Sequence, residues 1–133
     1  GAQYISPYDS INNYLSNQTD HNLLHHSLRS DNGFIHLQEN QLIRFTCVVS
    51  RALPAAVLHF PFAIDYRIER NSTIENDDKT YRTILVVILR LNRYFHRHIF
   101  HCEASQIQID NNGKKSEQYR IDSNTLQMDI TCK

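Results

Sequence analysis

Cys47 and Cys102 each sit in a strand-like frame, IRFTCVV and HIFHCEAS, in which buried-type residues recur at every second position. They lie 55 positions apart. A chain carries cysteines this way when one disulfide staples the two sheets of a β-sandwich through its core. Such bridges belong to oxidising compartments, so the same pair points to a domain that works outside the cell by presenting a surface.

Length and charge narrow the classes further. At 133 residues and 15.6 kDa the chain is one domain with at most a short extension, and it can bury a sizeable core. Its formal net charge is zero, so nothing in the overall balance points to nucleic acid or an anionic membrane surface. The basic residues of LRLNRYFHRH are local and cannot track a phosphate backbone alone. The longest apolar run, Ile84–Leu89, ends at Arg90, whereas a membrane helix needs about 20 apolar residues. No membrane insertion is expected within this segment. Because it begins with Gly and shows no signal-peptide pattern, the chain reads as a mature or excised segment.

Cysteine arithmetic leaves Cys132 over. In a secreted chain an odd cysteine suggests a partner outside the segment, a second subunit held in a dimer, or a free thiol. Two sequons, Asn17-Gln-Thr and Asn71-Ser-Thr, add an independent hint of a secretory route and a glycoprotein. Both lie in polar stretches that read as loops.

The chain divides near residue 34. Residues 1–33 are polar, rich in Asn and Ser, and lack strand alternation; they read as a leader, a linker or an added flap. Within them, Asp20 is placed to cap a short helix to about Arg29, with Leu24 and Leu28 on one face. Residues 34–133 carry a β signal throughout. Ile43, Phe45, Cys47 and Val49 line one face of a strand, and Val57–Tyr66 is an extended piece interrupted by Pro61. Arg70–Lys79 reads as a charged loop. Thr80–Asn92 reads as a long strand, apolar on both faces from Ile84 to Leu89, as where layers pack on both sides. Asp110-Asn-Asn-Gly closes a hairpin. Short strands without a long helix predict an all-β sandwich.

These residues resemble an immunoglobulin-superfamily domain over about Phe34–Cys132. Phe45-Thr-Cys47-Val is similar to strand B, Arg51-Ala-Leu-Pro54-Ala-Ala to the B–C turn, Leu85–Leu91 to strand E, and Phe100-His-Cys102-Glu-Ala104-Ser to strand F. Within the superfamily, Pro54-Ala-Ala-Val-Leu, TYRTILVVILRL, Asn92-Arg-Tyr-Phe and His101-Cys-Glu-Ala-Ser look most like the second immunoglobulin domain of arthropod Beaten-path proteins. That resemblance implies an immunoglobulin-like sandwich with one inter-sheet disulfide and a polar N-terminal extension. It also implies a neuronal surface or secreted receptor that binds a Sidestep-family immunoglobulin protein in axon guidance.

The sequence departs from the superfamily pattern in two places. There is no tryptophan, so the aromatic that packs on the disulfide is expected to be Phe60, thirteen residues after Cys47. Phe100 occupies the tyrosine-corner position without the hydroxyl, and His96 and His98 replace the usual acidic and glycine residues before it.

Chemistry is sparse. Eight histidines are the chain's one catalytic or metal resource, and His96 and His98, read as alternate strand residues, are the weak zinc candidates. Structural or solvent-facing histidines are the plainer reading. His21 and His25 have helical spacing but lack the intervening Glu of a metalloprotease helix. Glu75, Asp77 and Asp78 form an acidic cluster that reads as a solvated loop. Tyr4, Tyr8 and Tyr14 are either contact anchors or a tail packed on its own domain. No nucleophile elbow or phosphate-binding glycine loop is present, and no cofactor or catalysis is expected. The expected function is cell adhesion or guidance through another extracellular protein. The alternatives are a secreted immune or scaffolding module with a different ligand and, further off, a histidine-based metal-binding protein.

Overall fold

The structure, a computed structural model, describes residues 4–17 and 34–132, with the backbone alone for residues 116–119. The expected helix after Asp20, with His21, His25, Leu24 and Leu28, lies outside the described residues. Among the described residues ten strands run in chain order: β1 (Ile11–Asn17), β2 (Phe34–Gln38), β3 (Leu42–Ala52), β4 (Ala56–His59), β5 (Tyr66–Glu75), β6 (Tyr81–Arg90), β7 (Ile99–Phe100), β8 (Glu103–Ile109), β9 (Lys115–Asp122) and β10 (Leu126–Thr131). Among the described residues no helix is long and apolar enough to cross a membrane.

One layer is a four-stranded antiparallel sheet in the order β1-β3-β6-β5. The other consists of two three-stranded ladders, β2-β10-β7 and β4-β8-β9. Only His101 and Cys102 separate β7 from β8, and Ser123–Thr125 separate β9 from β10. The Ser123 N–H donates to Cys102 O across that gap at 2.9 Å, so the ladders are halves of one layer. Relabelled by position, the sheets are A-B-E-D and C-F-G, the constant-type immunoglobulin order, with β2 added parallel to β10. The fold is an immunoglobulin-like sandwich.

The disulfide joins Cys47 on β3 to Cys102 between β7 and β8, with Cα atoms 6.4 Å apart. Both cysteines are buried in the main core with Phe45, Leu85, Val87 and Met128. Alternation explains the layer. Residues Ile43, Phe45, Cys47 and Val49 point inward, and their register partners on β6 include Leu89, Val87 and Leu85.

Two strands lie where none was read. Ile11–Asn17 is an edge strand paired along β3, not part of a strandless extension, and its inward Ile11 and Leu15 join the core. Its alternation was hidden because Asn13 also points inward, where its Nδ2 and backbone groups bond to remote Ser123 and Asn124. Tyr66–Glu75 is a strand across most of the stretch read as a charged loop. Its side chains are largely exposed, as at a sheet edge, so hydrophobic period gave no signal. Conversely, the extended reading of Val57–Tyr66 holds as a strand only to His59.

Turns follow local chemistry. Asn92 Oδ1 accepts from the Tyr94 N–H and starts a 3-10 turn over Arg93–Phe95. In the β8–β9 hairpin Asp110 Oδ1 accepts from the Asn112 and Lys114 N–H groups, and Gly113 takes a φ of 78°.

Candidate recognition face

The outer face of the C-F-G half-layer is built from β4, β8 and β9. On β4, Leu58 is buried while Val57 and His59 point out; on β8, Ala104 and Gln106 are buried while Glu103 and Ser105 face the other way. Register sets Val57 across from Ser105, and Ser105 across from Arg120. A shallow depression of about 270 Å³ forms here, lined by Val57, His59, Glu103, Ser105 and Arg120 among others. The Arg120 guanidinium stands 3.8 Å from the Glu103 carboxylate.

Beyond a register shift at Gln106/Ile107, the β8–β9 hairpin projects with Ile107 and Ile109 on its surface. Val57, Ile107 and Ile109 are 48%, 42% and 61% exposed. Val57 lies beside His59, Glu103 and Arg120, and Ile107 and Ile109 follow along β8; apolar area with charged groups at one end suits a protein contact, in which apolar residues exclude water and charged ones set register. None of these apolar residues was singled out in the sequence. The usable signal was parity: Val57 is apolar at the position opposite in phase to Leu58.

Phe60 directly follows β4 and is buried, with ring centroids 5.0 Å from Phe45, 5.3 Å from Tyr66 and 6.2 Å from Phe100. Phe62, half-buried, stands 4.7 Å from Phe100. These rings form one aromatic cluster in a chain that has no tryptophan.

The remaining sequence candidates lie apart from this face. Asn17 ends β1, where its Oδ1 accepts from Gln41 Nε2 at 2.7 Å. Asn71 is exposed on β5, so both sequon asparagines sit in strands rather than in loops. Cys132 is an exposed free thiol beyond β10. Tyr8 is exposed, Tyr14 lies half-buried on the four-stranded sheet, and the Tyr4 hydroxyl donates to Gln106 Oε1.

His96 and His98 are not alternate residues of a strand. They follow the 3-10 turn on either side of Arg97, whose φ of 69° turns the chain. His96 Nδ1 accepts the Ile130 N–H at 3.0 Å and is thereby committed to the backbone. Among the described residues no group of three His, Cys, Asp or Glu side chains is arranged to hold a metal. Two residues of the acidic cluster, Asp78 and Glu75, are engaged. Thr80 and Arg51 hydrogen bonds hold the Asp78 carboxyl down to about 2, and Glu75 lies 3.6 Å from Lys79 Nζ.

No protein-family model matches the chain, and no curated protein matches it significantly. Solved structures do. Rst D1-D2 aligns over 74% of this chain and 44% of its own length, with 15% identity and a TM-score of 0.50. The full ectodomain (Ig1–Ig3) of mouse nectin-like molecule 4 aligns over 73% of this chain and 31% of its own, with 23% identity and a TM-score of 0.47. The BIgI domain of the beta protein from S. agalactiae, solved bound to CEACAM1, aligns over 92% and 98%, with 13% identity and a TM-score of 0.41. The likeness is one of fold alone. This chain spans less than half the length of the first two.

Proposed function

We propose that this chain is an extracellular recognition domain, of the cell-adhesion or axon-guidance receptor type, that binds another surface protein through its C-F-G face. The observation that carries the reading is the exposed set Val57, Ile107 and Ile109, with His59, Glu103 and Arg120 beside Val57. A buried disulfide and two exposed sequon asparagines suit a secreted glycoprotein. The resemblance of TYRTILVVILRL and HCEAS to Beaten-path proteins supports a Sidestep-like immunoglobulin receptor as the partner. The module binds rather than catalyses, and Phe60 stands in for the missing tryptophan. Its domain takes in β1 as well as residues 34–133, and Cys132 serves a bridge outside the fold.

Surface-immobilised protein made through a secretory pathway tests this against a panel of immunoglobulin ectodomains that includes Sidestep-like ones. The reading expects a partner at micromolar affinity or tighter, insensitive to chelators. Ile107→Arg and Val57→Arg should each weaken binding at least tenfold, corresponding to about 1.4 kcal/mol. Ile74→Arg on β5 should leave it unchanged. Equal loss from the β5 variant, or no loss from the C-F-G pair, would move the site elsewhere.

A further inference from the structure

Strand β5 carries an inward row that stays in water. Register sets Tyr66 across from Leu89, Ile68 from Val87, Asn71 from Leu85 and Thr73 from Thr83. These β6 partners face the opposite layer: Leu85, Val87 and Leu89 belong to the main core, and Thr83 Oγ1 donates to Ala56 O at 3.0 Å. Residues directly paired across two strands share a face, so Tyr66, Ile68, Asn71 and Thr73 form one row on the inner side. In a regular strand the row would run on from Ile68 to residue 70. A register shift between Ile68 and Arg70 takes up one extra residue, and Asn71 falls into the row instead. Burial would be expected on this side, yet Tyr66 and Ile68 are 37% and 53% exposed, and Asn71 and Thr73 are exposed too.

The opposite layer explains the exposure. Its edge strand on this side is β4, which packs against β6 and β3 rather than against β5. Phe60 closes the Tyr66 end of the row, with ring centroids 5.3 Å apart. From Ile68 onward the row overhangs β4 as an open ledge. Among the described residues β4 and β5 each leave one edge unpaired here. Two free edges beside an exposed isoleucine invite strand addition by another chain, and secreted domains need a device against it. Asn71 stands in the middle of the ledge and opens the sequon Asn71-Ser-Thr. We propose that Asn71 carries an N-linked glycan whose first N-acetylglucosamine units lie along this ledge, cover Ile68 and block both free edges. A sugar ring turns a C–H face to the isoleucine while its hydroxyls stay hydrated, and a covalent cover cannot be competed away. The inference rests on the secretory route of the proposed function and not on its choice of partner. It closes the β4–β5 flank and leaves the outer C-F-G face open.

The test uses the full chain secreted from animal cells, with Cys132→Ser so that no thiol cross-links it. Glycopeptide mass spectrometry should find Asn71 occupied, and sedimentation should find the chain monomeric. Asn71→Gln, or Thr73→Val, which keeps the asparagine, should tighten self-association at least about tenfold. Adding Ile68→Lys to Asn71→Gln should restore the monomer, because an inward charge at the edge opposes pairing. Enzymatic removal of the glycan from the folded chain should reproduce the association without any variant having to fold. A secreted chain with the Cys47–Cys102 bridge formed and Asn71 bare would overturn the proposal while leaving the extracellular reading intact. A secreted chain without that bridge would overturn both. Glycan-free protein as monomeric as the glycosylated chain would also overturn the proposal, as would association that Ile68→Lys leaves unchanged.

Discussion

Asn13 and Ser123 meet across the sandwich although 110 residues separate them: Asn13 Nδ2 donates to Ser123 Oγ at 2.6 Å. The same Ser123 oxygen accepts from the Cys102 N–H at 2.8 Å, so one hydroxyl ties strand A to the disulfide strand. Asn124 completes the tie, its Oδ1 accepting from the Asn13 N–H and its Nδ2 donating to Asn13 O. This is why an asparagine can stand inward on β1 directly across from Cys47.

Ser123→Ala should cost about 1–3 kcal/mol, because it leaves both the Asn13 amide and the Cys102 N–H buried without a partner. Urea denaturation measures it. Asn124→Ala, on an exposed side chain, should cost less; a larger cost there would shift the weight of the tie to the turn.

The aromatic cluster sets a second ranking. Phe60→Ala should destabilise by about 3–5 kcal/mol, since the ring is buried among Phe45, Tyr66 and Phe100. Phe62→Ala, at a half-buried position, should cost less. Equal midpoints for the two variants would show that Phe60 is not the centre of the cluster.

Arg44 is 2% exposed and makes a two-pronged pair with Glu69, whose side chain is 35% exposed. Glu69→Gln should therefore cost about 1–3 kcal/mol by weakening the charged bonds to a buried guanidinium. Replacing both residues by Met should recover much of that, because the desolvation of the ions goes with them. A double variant less stable than Glu69→Gln would count against this account.

Acid should act through Asp78. Its carboxyl is lowered from 3.8 to about 2, first by the Thr80 hydroxyl and then by Arg51. A lowered folded-state value means the stabilisation is fully present above 3.8 and drains away as pH falls toward 2. Carboxyl-carbon NMR should show a midpoint near 2, and Thr80→Val should raise it more than Arg51→Ala does. The reverse order would assign the effect to the ion pair.

Much of this fold could be read from residue order. The frame around Cys47 and the run Ile84–Leu89 alternate or saturate because both belong to central strands, where burial on one or both faces imprints itself on composition. Phe60 was singled out by its place thirteen residues after Cys47, and the residue is buried. The Asp110–Gly113 hairpin was legible because Asp and Gly answer the local demands of a tight turn. His96 and His98 were misplaced as strand neighbours because the left-handed turn at Arg97 carries no glycine to announce it.

The sequence by itself determined the central strands and the all-β class, since each depends on side-chain period over a few consecutive residues. Tertiary structure alone decided the edges and the surface. β1 is a strand because β3 pairs with it and Ser123 accepts from the inward Asn13 Nδ2; β5 is a strand because β6 pairs with it while most of its side chains stay in water. Likewise, Val57, Ile107 and Ile109 share one side of the molecule only because β4, β8 and β9 are brought into register. Period reports which side of a strand is buried. Which remote groups share a face, or satisfy a polar atom turned inward, is settled by packing between segments a hundred residues apart.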